Sequence, residues 1–280
     1  LIATASASRL RFLVHALSLR GVEIRSDLVT DYPDDVPLLA SLRTPDPAWF
    51  KAHPTADGFD IDLEYLPLVF ESGVLDDLPP RPVILSAHPV EITDAVQSAL
   101  IQAKALFQTR YPTWKHVETK LAGPGTPTLF RRIQGIDTVL PTSADLNWLR
   151  TLNAFVNSQN YVAPRLKPSR IDDSLADSIP PMDLQDWVLH FGLDDSSIRA
   201  GLVGDPIRRS QGPWWHRKNA EKVGQSLAYL TIPVQRGGLS EALSHLQSFG
   251  VTRISVTSPL KIEAAQSSRN QLPALNTLFF

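Results

Sequence analysis

Short, apolar, β-rich runs alternate with longer segments of helical period through the first half of the chain, and this alternation restricts the fold more than any other feature. The runs cover residues 21–25 (GVEIR), 36–43 (VPLLASLR), 59–66 (FDIDLEYL), 82–87 (PVILSA) and 137–141 (DTVLP). Residues 9–19 and 92–107 read as helices, and in the second of these Val96, Leu100, Ala103 and Leu106 fall on one face. Strand and helix in alternation point to parallel βα units. An open doubly wound sheet and a closed barrel both satisfy that pattern, and periodicity alone does not separate them.

From residue 163 to about 197 the composition turns to Pro, Asp and Ser (APRLKPSRIDDSLADSIPPMDLQDW), as in a linker. A second αβ set follows, with strands expected at 198–204, 227–234 and 252–256 and helices at 214–223, 239–249 and from 259. Two domains suit the 280 residues. The 27 basic and 29 acidic residues are dispersed, net charge −2, and leave no electrostatic footprint for nucleic acid or an anionic membrane. With no cysteine, disulfides, thiolate catalysis and cysteine-ligated metal are excluded, which fits a cytoplasmic protein. No apolar run approaches the roughly 20 residues of a membrane helix, and the opening LIATASASRLRF lacks the order of a secretory signal. A small-molecule partner is expected, and a homodimer is left open. The start at Leu1 and the apolar stop ALNTLFF suggest a fragment.

Parallel barrels carry their reactive side chains at the carboxyl ends of the strands. Arg25 ends GVEIR, Arg43 ends VPLLASLR, His88 follows PVILSA, Lys115 sits in the β-like TWKHVE, and Arg150 stands in LNWLR after DTVLP. Each alone reads as an ordinary surface or turn residue; together and in order they form a signal. The first half resembles type I 3-dehydroquinate dehydratases: Glu23, Arg25 and Asp27 match an E-x-R-x-D run, Arg43 a third-strand arginine, His88 the histidine after the fifth strand and Lys115 the imine-forming lysine. The resemblance implies a TIM (β/α)8 barrel over residues 1–165, a linker over 166–197 and a smaller open α/β substrate-binding domain over 198–280.

It also implies Schiff-base chemistry without cofactor or metal. Lys115 attacks a ketone, Arg25, Arg43 and Arg150 lower its pKa and hold the substrate carboxylate, His88 removes the proton, and Glu23 orients His88 or the lysine. The family's S-A-P-G-Q loop is replaced by VAPRLKPS, with Val162, Arg165 and Leu166 at the altered positions, its E-G-G segment by RTPDP, and the residue after His88 is Pro89.

The second half resembles the substrate-binding domain of shikimate dehydrogenases. GLVGDPIRRSQGPWWH carries Ser210 at the first serine of the family's S-x-S-P-x-x-H and Gly212 at the second; SVTSPLK supplies Thr257 and Lys261, with Ser255 in place of asparagine; ALNT supplies Asn276. The resemblance implies that Ser210, Thr257 and Asn276 bind substrate and that Lys261 takes part in proton transfer. NADP(H) is expected for the dehydrogenase, but no glycine pattern for a dinucleotide occurs, the nearest being GPGTP at 123–127. The expected function is therefore a fragment of a shikimate-pathway enzyme, a dehydratase (lyase) fused to a dehydrogenase (oxidoreductase). The alternative is a quinate- or shikimate-sensing regulator with a degenerate site.

Overall fold

The structure is a computed structural model that describes residues 21–27, 35–142, 198–207, 210–248, 250–268 and 272–279. The chain divides into two compact units, one holding the first six strands and the other the last four. The expected linker at 166–197 lies outside the described residues.

In the first unit β1 (Val22–Arg25), β2 (Leu38–Leu42), β3 (Gly58–Asp62), β4 (Val83–Ala87), β5 (Val117–Gly123) and β6 (Thr138–Pro141) are all parallel and lie in sequence order. A doubly wound sheet reverses its strand order at a switch point; this one never does. Right-handed crossovers then place the connecting helices on one face, and the sheet curls into a half-barrel. The expected complete (β/α)8 barrel is not shown: among the described residues of this unit there are six strands, with β1 and β6 at the ends.

The two faces of the sheet differ in chemistry. Val22, Ile24, Leu42, Phe59, Ile61 and Leu121 lie on the apolar one, all but fully buried. The helices α1 (Trp49–Ala52), α2 (Leu66–Ser72) and α3 (Asp94–Arg110) contribute Phe50, Val69, Leu100 and Phe107 to the core. Phe59 stands at the centre, its ring 4.7 Å from Phe50 and 6.0 Å from Trp114. Thr93 caps α3 by accepting the Val96 N–H, and Asp94 and Arg110 sit at the ends that suit their charges. The stripe this helix buries is Leu100, Ala103 and Phe107, whereas Leu106 is 57% exposed. The expected face is thus turned by one position, because Phe107 brings more apolar area to the core than Leu106.

The opposite face carries Glu23, Ser41, Asp60, Ser86, Lys120 and Thr138, every one of them buried. Six buried polar side chains on one face of a sheet whose other face is a hydrocarbon core mark the concave side as a site rather than a filler.

The second unit has β7 (Ile198–Gly204), β8 (Leu227–Pro233), β9 (Arg253–Val256) and β10 (Thr277–Phe279), in the order β10-β9-β7-β8. β8, β7 and β9 are parallel, and β10 runs antiparallel to β9. Helices α5 (Gly212–Lys222), α6 (Leu239–Ser248) and α7 (Lys261–Ser267) connect them. The strands and helices expected here all form, within two residues. β10 was not expected: three residues of mixed polarity give too short a period to read. No described helix is long and apolar enough to cross a membrane.

Candidate active sites

The first unit's site is built around a lysine at position 120 rather than 115. Lys115 precedes β5, is exposed, and donates to the Pro112 carbonyl at 2.8 Å. His88 lies just past the carboxyl end of β4, while the register Val83↔Val117 through Ala87↔Leu121 sets Lys115 beyond the amino end of the neighbouring strand. At about 3.3 Å per residue the two are on the order of 20 Å apart. The expected convergence of Lys115 and His88 is therefore corrected. Of the β-like run 113–118, Val117 and Glu118 do open β5, but Lys115 falls ahead of it, after a turn closed by the Trp114 N–H to Tyr111 carbonyl bond.

Lys120 is 1% exposed and points to the polar face. It forms a buried ion pair with Asp60, reaching from β5 over β4 to β3, a span that the concave side of a curled sheet makes possible. Asp60 also receives Arg43 at 3.2 Å and the Ser86 hydroxyl at 2.6 Å. Burial by itself would raise the pKa of this carboxyl, but Lys120, Arg43 and His88 outweigh it and hold Asp60 well below the usual carboxylate range.

Arg43 is the hub. Its guanidinium lies 2.9 Å from Asp62, 3.2 Å from Asp60 and 3.6 Å from Glu23. Glu23 was expected to orient His88 or the lysine; the structure gives its buried carboxylate to Arg43 instead. Arg25 is engaged by Asp27 through two bonds of 2.9 and 2.5 Å. Arg150 and the stretch from Val162 to Leu166 lie outside the described residues.

His88 Nδ1 is 2.7 Å from Asp62 Oδ2 and 2.8 Å from Arg43. Arg43 Nη1 has other acceptors in Asp62 at 2.9 Å and Ser86 at 3.3 Å, whereas a bare Nδ1 lone pair facing the Asp62 carboxylate is repulsive, so we assign the proton to Nδ1, donating to Asp62. Nε2 is then the basic nitrogen. Desolvation lowers the pKa of His88, with Arg43 and Lys120 adding to it and Asp62 opposing, so the ring is neutral near pH 7. Asp62 is itself held low: burial raises it, but the His88 bond and the Arg43 charge prevail.

Sequence reasoning missed Lys120, Asp60, Asp62 and Ser86. A signal was present, since FDIDLE and VETKLAG place polar residues at alternate positions of otherwise apolar strands.

In the second unit the backbones of Thr257, Lys261 and Asn276 meet near the carboxyl end of β9, and Ser210 follows β7 by six residues. Gly204, with φ at +154°, allows the close approach: a Cβ there would lie 2.3 Å from Thr257 Cγ2 and 2.8 Å from the Ser258 carbonyl. Thr257 follows β9, its N–H bonded to the Val203 carbonyl at 2.9 Å. Lys261 opens α7 and is exposed; its carbonyl accepts from the Leu275 N–H, while the Asn276 carbonyl accepts from the Val256 N–H, so both backbones abut the end of β9. The hydroxyl of Ser210 accepts the Gly212 N–H at 3.2 Å ahead of α5. His216, unassigned from sequence, stacks on Tyr229 at 4.6 Å, and Tyr229 donates to Ser255 at 2.7 Å. Burial lowers the pKa of His216.

A dinucleotide cradle does not fit the described residues. GPGTP does join β5 to a helix, but that helix, α4 (Pro127–Arg132), has six residues. Its first turn carries Pro127, and the Thr126 hydroxyl already accepts the Leu129 N–H. Pyrophosphate binding needs free N–H groups at that place.

Among known proteins, the shikimate dehydrogenase (NADP(+)) of Acidovorax sp. (strain JS42) is 40% identical over 85 residues, covering 28% of this chain and 30% of that protein. The shikimate biosynthesis protein AroDE of Chlamydia pneumoniae is 27% identical over 130 residues, 44% of this chain and 26% of that protein. The solved dehydroquinate dehydratase and shikimate dehydrogenase of S. pombe AroM aligns over 99% of this chain and 61% of that one, with 14% identity and a TM-score of 0.42. The chain spans about a third or less of the length of the curated relatives it matches. Residues 202–273, from within β7 to beyond α7, match the family model of the shikimate dehydrogenase substrate-binding domain.

Proposed function

We propose that the second unit binds shikimate or its 3-keto form and that the first unit dehydrates 3-dehydroquinate through an imine on Lys120. The reading of the second unit is supported by the match at residues 202–273, which spans Ser210, Thr257 and Lys261, and by the backbone bonds that bring Thr257, Lys261 and Asn276 near the end of β9. Thr257 and Asn276 supply hydrogen bonds to ring oxygens, and Lys261 the proton at the carbonyl or hydroxyl being converted. NADP(H), named with the relatives, would supply the hydride.

For the first unit the carrying observation is a fully buried lysine on the polar face of a parallel sheet, one strand from a histidine kept neutral. Attack on a ketone requires the free amine, so as ligand enters the pair with Asp60 opens and the ammonium proton passes to His88 Nε2. At C3 the carbinolamine hydroxyl leaves as water with the proton returned by His88, giving an iminium; His88 Nε2 then takes the acidified C2 proton and passes it to the C1 hydroxyl, which leaves as water, and hydrolysis frees Lys120. The test is a dehydration assay that follows the conjugated product in the ultraviolet. Turnover by the chain, lost in Lys120→Met and kept in Lys115→Met, supports the reading; absence of turnover in the folded chain overturns it.

One observation favours a regulatory reading in which ligand is bound without turnover. Lys120 is paired with Asp60, Arg43 with Asp60 and Asp62, and Arg25 with Asp27, while Gly212 removes one hydroxyl from the second site. Tight binding of quinate with no dehydration would select it.

A further inference from the structure

The concave face of the first unit holds one hydroxyl that nothing in the fold explains. Ser41, on β2, is 0% exposed, and its Oγ has no hydrogen-bond partner. Its lateral neighbours are Arg25 on β1 and Asp60 on β3. Arg25 is held by Asp27 through two bonds, and Asp60 already accepts from Lys120, Arg43 and Ser86. Neither turns to Ser41. A buried hydroxyl left unpaired costs stability, and alanine in its place would remove that cost without changing the packing volume much. Serine has no strand-forming advantage to offset it; β-branched residues are the ones that favour strands.

We propose that Ser41 is a ligand-contacting residue of this site, its hydroxyl kept free of internal partners so that it pairs with a ring oxygen of the polyhydroxylated cyclic acid bound there. The inference rests on the functional reading given above for the first unit. The geometry limits the ligand atom to an oxygen between β1 and β3, beside the Lys120–Asp60 pair, so Ser41 acts on binding and orientation and takes no proton from the reacting carbon. Such a residue sacrifices fold stability for affinity, which gives its removal two effects of opposite sign.

The experiment is calorimetric titration of the whole chain with quinate, which has no ketone and so reports binding without imine formation, together with melting of the ligand-free protein. Ser41→Ala is expected to bind about 10-fold more weakly, the worth of one uncharged hydrogen bond, while melting at or above the wild-type temperature. Ser41→Thr, which restores the hydroxyl, is expected to retain binding. Unchanged affinity in Ser41→Ala overturns the inference, and so does a lower melting temperature, which would assign the hydroxyl an internal structural role. If the wild type itself neither binds quinate nor turns over 3-dehydroquinate, the functional reading fails and the inference falls with it. That result is distinguishable because wild type and variants then behave alike.

Discussion

Lys120 and Asp60 pair where water cannot screen them, and a buried ion pair is worth most when one half is removed. Asp60→Asn leaves the ammonium without its partner and is expected to destabilise the first unit by about 3–5 kcal/mol, measurable by urea unfolding. For His88 the sign follows from its lowered pKa. The free imidazole of the unfolded chain takes up a proton at about 6.5, before the folded ring does. Its contribution to stability is therefore full above about 6.5 and is lost as the pH falls through the folded value. Dehydration should lose its base over the same window, with an acid limb inflecting below 6.5; a limb above 6.5 contradicts the assignment. Arg43 and His88 were legible in the sequence because each stands at the end of a clean apolar run. Lys120 was not, since a lysine inside a strand resembles an exposed edge residue until the partner that buries it, 60 positions away, is known.

At the scale of elements, β1, β2, β4 and β6 lie inside the runs that apolar alternation marks out, because each is bounded by glycine, proline or a charged residue. β5 starts at Val117, four residues into the run 113–118: Trp114 in that run serves the helix-side core instead, with Phe107 5.0 Å from Tyr111 and 6.2 Å from Trp114. Phe107→Ala should cost about 3–5 kcal/mol by emptying that core, whereas exposed Leu106→Ala should change stability by less than about 0.5 kcal/mol. Equal effects in thermal melts would contradict the observed helix face. At the end of β7, Gly204→Ala drives a methyl group into Thr257 and Ser258. Its expected outcome is weaker shikimate binding in a titration, at a position that touches no ligand itself.

On the scale of the molecule, two αβ units with different winding share one chain. The first is singly wound, with its chemistry on the concave side of the sheet; the second is a small mixed sheet with its chemistry at the strand ends. Alternation in the sequence announced αβ units in both. The number of strands and the closure of the first sheet depend on long-range pairing, which local periodicity does not encode. The claim on which the account of the first unit turns is that Lys120 forms the imine. Incubating the chain with 3-dehydroquinate, reducing with borohydride and mapping the adduct by peptide mass spectrometry tests it directly. The account predicts modification at Lys120 and none at Lys115; an unmodified chain, or an adduct on Lys115, would contradict it.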